Sequence, residues 1–387
     1  MKNAFRYTLS ALALVALSGC ASSSGDSTIG YYWQSLRGHM GIMGSAKPLQ
    51  DWIDDASQKP ALRERLELAQ RARQFAIDEL GLPDNASYRR YAQLGRTAAV
   101  WNVVGAPPYS LKLHTWCFPV TGCIGYRGYF AEADAKAESE RLAQAGLEVS
   151  VYPVPAYSTL GYSNWLGGDP LLNTFIGWPE GDFVRLLFHE LAHQVVYAEG
   201  DTAFNESYAT AVERLGVDQW LAEHSTPQAR VEFTTSEKRR TEFRILTRDA
   251  RAQLAKVYAS GDSSTPEGKA QLESAKQHAM QAFHEAYAQQ RERWITEDKV
   301  KPEQLTNLDR WIKEANNASF GAQGAYDDLV PAFLALFEQQ GKDWTKFHAA
   351  VKQLSNEPKD KRQAALNQLM KPEQDTQTAA SEETTRP

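Results

Sequence analysis

Cysteine is scarce: three residues in a chain of 387 are too few for a disulfide scaffold or a cysteine-based zinc module. There is no C-x-x-C pair, so thioredoxin-like redox chemistry has no motif. Basic residues are not in excess. Lys and Arg number 42 against 48 Asp and Glu, a formal charge of −6, which excludes nucleic acid as the expected partner. No apolar run approaches the ~20 residues that cross a bilayer as a helix. No internal repeat is visible, which removes solenoids and propellers. Glycine and proline stand near average, and the 42% hydrophobic and 23% charged fractions are ordinary, so collagen, coiled-coil rod and wholesale disorder are excluded. At roughly 150 residues per domain, the length fits one large or two modest domains with sizeable cores.

What is present begins with a leader. Lys2 and Arg6 precede a short apolar run, Leu9 to Leu17, and small residues follow, so residues 1–19 read as a secretory signal peptide. Leu17-Ser18-Gly19-Cys20 resembles the bacterial lipobox, which implies a lipid on Cys20 as the mature N-terminus. Such a chain is anchored to a membrane and does not span it. Residues 20–30 form the lipidated end and a small, polar, flexible tether. Position 21 is Ala rather than Asp, which by resemblance to lipoprotein sorting rules implies the outer membrane, facing the periplasm. At the other end, 372–387 has no large apolar side chain and is expected to be disordered.

The compartment bears on Cys117 and Cys123. Pro119 and Gly122 between them suit a tight reversal, and an oxidising periplasm favours pairing; two buried thiols are the alternative.

The body, 31–371, reads as more helix than strand: an α+β chain, predominantly α-helical. Helices are expected over 29–45, 61–80 and 131–145, and as two long charged helices over 228–298 broken at Gly261-Asp262-Ser263-Ser264. Residues 301–371 are helical again. Strands are expected over 97–104, 124–130 and 147–157, the last an edge strand because of Pro153 and Pro155. A core of about 95–220 thus precedes a helical part of about 225–371.

The chemistry sits at His189-Glu190-Leu191-Ala192-His193, an H-E-x-x-H motif. At 100° per residue, positions i and i+4 share one face of a helix, so both imidazoles can bind one metal ion. Glu190 can reach the attacking water as general base. Chance occurrence in such a chain is on the order of 1%. The bland alternative, two hydrogen-bonded core histidines, has to bury two imidazoles and a carboxylate on an apolar helix. Asp182 is the expected N-cap, with the helix continuing past Val196, which leaves Glu199 facing away.

Catalytic zinc takes three protein ligands and leaves one position open. Val196 and Glu199 stand where a metzincin has Gly and His, so that class is rejected. A second helix is expected from Ala203 to Leu215, ended by Gly216. Glu206 near its start can point back at the histidines, and Ala209 lets the helices approach closely. Glu213, two turns on, shares that face and is either a supporting residue or the true ligand.

H-E-L-A-H followed by Asn205-Glu206-Ser207-Tyr208-Ala209 resembles the thermolysin-like, or gluzincin, metallopeptidases. Finer likeness points to one branch, the bacterial zinc aminopeptidases that are membrane lipoproteins. It rests on Trp116-Cys117-Phe118-Pro119 with Gly122-Cys123, Tyr126 to Phe130, Ala156 to Gly161, Asp169 to Asn173 and Asn316-Asn317-Ala318. The resemblance spans residues 31 to about 369. It implies a thermolysin-like core with a small mixed or antiparallel sheet, one zinc ion per chain on His189, His193 and Glu206, Glu190 as base, and a peptide substrate. Tyr157, Tyr208 and Tyr326 are candidate oxyanion donors, with Tyr326 favoured, and the strand before the zinc helix is a candidate edge for extended peptide. Endopeptidase activity, a non-peptide hydrolase and a non-catalytic envelope scaffold remain alternatives. A pure scaffold, however, has no need of a base between two ligands. Oligomeric state is not legible.

Overall fold

The computed structural model describes residues 28–370 apart from 119–121, 157, 160–163, 165–166 and 324–328. The leader, Cys20, the tail after 370, Tyr157 and Tyr326 therefore lie outside the described residues.

The elements run α1 (Thr28–Ser45), β1 (Lys47–Pro48), α2 (Leu49–Asp54), α3 (Pro60–Asp78), β2 (Arg90–Ala92), β3 (Val100–Ala106), β4 (Trp116–Phe118), β5 (Gly122–Ile124), β6 (Arg127–Tyr129), α4 (Glu132–Gln144), β7 (Glu148–Val154) and β8 (Leu171–Leu172). Helices then dominate: α5 (Glu180–Ala192), α6 (Thr202–His224), α7 (Pro227–Ala259), α8 (Pro266–Thr296), a 3-10 turn (Pro302–Leu305), α9 (Thr306–Glu314), α10 (Asn317–Gln323), α11 (Val330–Gln339), α12 (Trp344–Ser355) and α13 (Lys359–Leu369). The class is α+β and predominantly helical, as the sequence predicts.

Three small sheets carry the β content. In order they are β1–β2–β8, β6–β3–β7 and the hairpin β4–β5. Strand β3 is central to the second and antiparallel to both neighbours, with Trp101 opposite Tyr129 and Pro153. The strand expected over 147–157 does sit at an edge, where a missing N–H costs least, but it ends at Val154, so it carries Pro153 and leaves Pro155 beyond its end. The expected single strand over 124–130 is instead two. Gly125 separates them and lies against Leu113, where a Cβ would come within 2.9 Å of a methyl carbon. The β4–β5 hairpin pairs Cys117 with Cys123 across the ladder, and the two are disulfide-bonded. Thiol labelling under denaturing conditions should find both blocked until a reductant is added; immediate labelling of both would remove the bridge.

The largest core surrounds α5 and α6 and draws on both ends of the described chain, from Ile42 and Leu66 to Phe347 and Leu366. Helix α6 buries residues all round, including Phe204, Tyr208, Val212 and Trp220, so it runs through the centre. It does not stop at Gly216 as expected. That glycine is a contact point: a Cβ there would meet Leu80 at 2.7 Å and Phe188 at 2.9 Å. Helices α7 and α8 build a second core with Leu254, Phe283, Tyr287, Trp294 and Phe320. No helix among the described residues is long and apolar enough to cross a membrane.

Candidate metal centre

Helix α5 presents the H-E-x-x-H motif. Its N-cap is Pro179, not Asp182, and Glu180 and Asp182 lie in the first turn, where carboxylates suit the helix dipole. Asp182 instead accepts from Arg240 Nη1 at 2.6 Å. Phe183, Val184, Leu187, Phe188 and Leu191 bury one face, and Phe188 stacks on Phe75 at 5.8 Å. The helix ends at Ala192 with His193 as its cap, earlier than expected, so both histidines stand at its last turn. Glu199, expected to face away on a continuing helix, is exposed, but it lies beyond the end of α5 rather than on it.

The chain then reverses through Gly200 into α6. Asn205 clamps this reversal: its side chain accepts from Ala198 N–H at 2.7 Å and donates to Ala198 O at 2.8 Å. Asp201 caps α6 by accepting from Phe204 N–H. The same carboxylate takes two hydrogen bonds from Arg362 in α13, at 3.0 and 2.8 Å, and both residues are buried. Removing one side of such a pair leaves an uncompensated buried charge. Asp201→Ala should therefore lower unfolding free energy by about 3–5 kcal/mol in denaturant titration, against less than about 1 kcal/mol for an exposed pair.

The clamp delivers Glu206 to the histidines. His189 Nε2 and His193 Nε2 are 3.2 Å apart, and Glu206 Oε2 lies 3.3 Å from the first and 3.7 Å from the second. These three side chains form a group that could hold a metal ion. Tetrahedral zinc at 2.0–2.1 Å from each ligand sets ligand-to-ligand edges of about 3.3 Å, so the observed triangle fits with small adjustments. Two nitrogens and one carboxylate oxygen are also the donor chemistry of a hydrolytic zinc site.

Glu213 is placed behind this triangle. Its Oε2 is 2.9 Å from His189 Nδ1, the nitrogen that faces away from Glu206. Its Oε1 lies 3.8 Å from Arg185, which also bonds Glu237 at 2.9 Å. Glu237 receives Arg240 and Arg244 as well, so part of the charge on α7 is an internal network bracing α5.

Burial opposes charge at each of these carboxylates, but their partners prevail. Hydrogen bonds to His189 and His193 hold Glu206 below the usual carboxyl range, and His189 with Arg185 does the same for Glu213. At His189 burial pulls downward, yet Glu206 and Glu213 raise its pKa well above an ordinary imidazole. Glu190 is the exception. Burial raises its pKa, and the charges of Glu206 and Asp169 add to this, against the pull of the two histidines.

Several neighbours were not read from the sequence. Tyr88 is buried with φ 62°, a left-handed backbone that a bulky residue seldom adopts, and its N–H donates to Asp169 O at 2.6 Å. Burial raises its phenol, and the charges of Glu190 and Asp169 raise it further. Asp169 accepts from Thr159 N–H and Oγ1, both at 2.8 Å, which ties the segment before α5 to this corner. Gly168 makes the approach possible: at φ +70° a Cβ would lie 2.3 Å from Ser87 N. Burial lifts the Tyr126 phenol to about 12, with Glu206 adding to it, and Tyr152 shifts in the same direction. The signal available in sequence was the aromatic run 126–130, read there as a strand and as part of the family resemblance but not as part of the site. Tyr208, by contrast, does not reach the centre as an oxyanion donor. Its hydroxyl sits in the core, 2.8 Å from His348 Nδ1.

Fold and site together define a mostly helical α+β protein with a three-donor group suited to a metal ion. The chain belongs to the family described as "Putative aminopeptidase", which it matches over residues 30–366. Membership supports a peptidase function. No curated protein and no solved structure gives a significant match.

Proposed function

We propose that this protein is a zinc-dependent aminopeptidase of the thermolysin-like superfamily, lipidated at Cys20 and held on the outer membrane facing the periplasm. The observation that carries the hydrolytic reading is the triangle of His189, His193 and Glu206 beside Glu190, with edges of 3.2, 3.3 and 3.7 Å.

In this reading His189, His193 and Glu206 hold one zinc ion. When bound, zinc supplies Lewis-acid polarisation of the scissile carbonyl and lowers the pKa of the attacking water. Glu190 takes the proton from that water as it attacks, and then delivers it to the leaving amine. Its half-buried position limits competing water, and burial raises its affinity for a proton. Glu213 accepts a hydrogen bond from the Nδ1–H of His189, which fixes the tautomer and leaves the lone pair of Nε2 for the metal. The oxyanion donor is assigned to a tyrosine at the cleft, with Tyr326 as the sequence-based choice. β7 lies at the edge of its sheet, where an extended peptide would pair; there the Val149 carbonyl already accepts from Asn316 Nδ2 at 2.9 Å.

A panel of peptides with free and acetylated N-termini tests the specificity. Cleavage of the free set alone supports aminopeptidase. Cleavage of both makes the protein an endopeptidase. Cleavage of neither, with zinc bound, overturns the peptidase reading.

A further inference from the structure

We propose that α1 is a membrane-docking element whose outward face rests on the phospholipid surface beside the lipid anchor; this rests on the lipidation of Cys20 proposed above. Ten large hydrophobic side chains are exposed among the described residues, and four of them fall within this one helix: Tyr32, Trp33, Leu36 and Met40. They are 42, 67, 54 and 53% exposed. At 100° per residue they occupy an arc of about 100°, with Arg37 about 40° beyond it.

The opposite face is fastened to the fold. Gln34 donates to Gly128 O and accepts from Phe130 N–H, both at 3.3 Å. Tyr31 meets Tyr129 edge-on at 5.9 Å and lies under the Arg127 guanidinium at 4.3 Å. Gly38 admits the Phe130 ring, and Ile42 is buried; Met43 falls within the outward arc but is buried too, so the exposed large side chains of that arc end at Met40. The helix is thus amphipathic with both faces exposed to selection by packing: one face binds β6, and the other presents aromatic and aliphatic groups outward.

Three observations choose a bilayer as the occupant. The helix TIGYYWQSLRGHMGIMGS contains no acidic residue, although the whole chain carries −6, so α1 itself brings no negative charge to anionic headgroups; Asp134 of α4 lines the cavity beside Trp33 and Arg37, together with Arg96. Trp and Tyr beside Leu and Met is the composition that settles at headgroup depth. The chain from Cys20 to Thr28 is also short: no segment of that length reaches beyond about 29 Å. A lipid at Cys20 therefore keeps the start of α1 at the membrane surface. Because α1 is fixed to β6, contact there also sets how the strand bearing Tyr129 and the neighbouring Tyr126 is oriented above the lipid.

Hydroxyl-radical footprinting tests this. The full-length lipidated protein would be reconstituted in vesicles of phosphatidylethanolamine and phosphatidylglycerol and compared with the Cys20→Ala protein in vesicle-free buffer. Modification of Trp33, Leu36 and Met40 should fall at least ~3-fold on the vesicles, as expected for side chains inserted at headgroup depth. Tyr197 and Ile245, also exposed, should be unchanged. The lipidated Trp33→Glu/Leu36→Glu protein should still float with vesicles, keep wild-type peptidase activity and regain solution-like modification at Met40. Co-flotation without protection of α1 overturns the docking proposal and leaves the anchor intact. Failure of the wild-type protein to float overturns the anchor, and the docking with it. Equal protection in the vesicle-free protein shows a second copy or another segment on this face, and also overturns the proposal.

Discussion

Glu190→Gln should bind as much zinc as the wild type, one ion per chain under the proposed function, and lose at least ~100-fold in kcat/KM, the lower end of what general-base catalysis contributes. The amide keeps the shape and length of the carboxylate but cannot accept a proton at the attacking water. Its neighbours should be undisturbed, because the donor triangle is built by His189, His193 and Glu206 and none of its edges involves Glu190. Metal analysis of the purified variant beside its rate on a free-amine peptide makes the comparison. Full activity on a zinc-dependent substrate would require a different base.

Glu206→Ala should fail at an earlier step, by losing metal. It removes one of three donors and leaves two imidazoles 3.2 Å apart. Zinc affinity should fall by more than ~100-fold, beyond the roughly 10–100-fold typical when a supporting partner is lost. Glu213→Ala supplies that comparison, since it deletes only the acceptor behind His189 Nδ1. Competition against a fluorescent chelator measures both. If Glu213→Ala strips the metal and Glu206→Ala does not, the ligand assignment exchanges between them.

The two histidines and Glu190 were legible because their relation is local: an i, i+4 spacing on one helix needs no tertiary information. Glu206 was legible for a related reason, as only a short reversal separates the two helices. The face shared by Glu206 and Glu213 was also readable, but not that Glu213 would sit on the far nitrogen of His189. That depends on the crossing of α5 and α6, which Gly216 permits by close contact with Phe188 and Leu80. In one dimension the same glycine looks like a helix stop. Tyr208 misled for the same physical reason: the partner of its hydroxyl, His348, lies 140 residues away. The strained backbone at Tyr88 is likewise enforced across the chain, by Asp169 and the glycine before it. Long-range contacts of this kind leave no periodicity to read.

The Asp201–Arg362 pair gives the site a schedule. A chain synthesised to the end of α6 already holds every proposed zinc donor, yet the residue that anchors the turn before Glu206 is carried by the last described helix. Until α13 folds back, the two histidines and Glu206 belong to a turn with an unneutralised carboxylate at its centre. Rigid assembly of the site thus coincides with completion of the polypeptide, and a nascent or truncated product lacking Arg362 should acquire metal and hydrolytic capacity poorly.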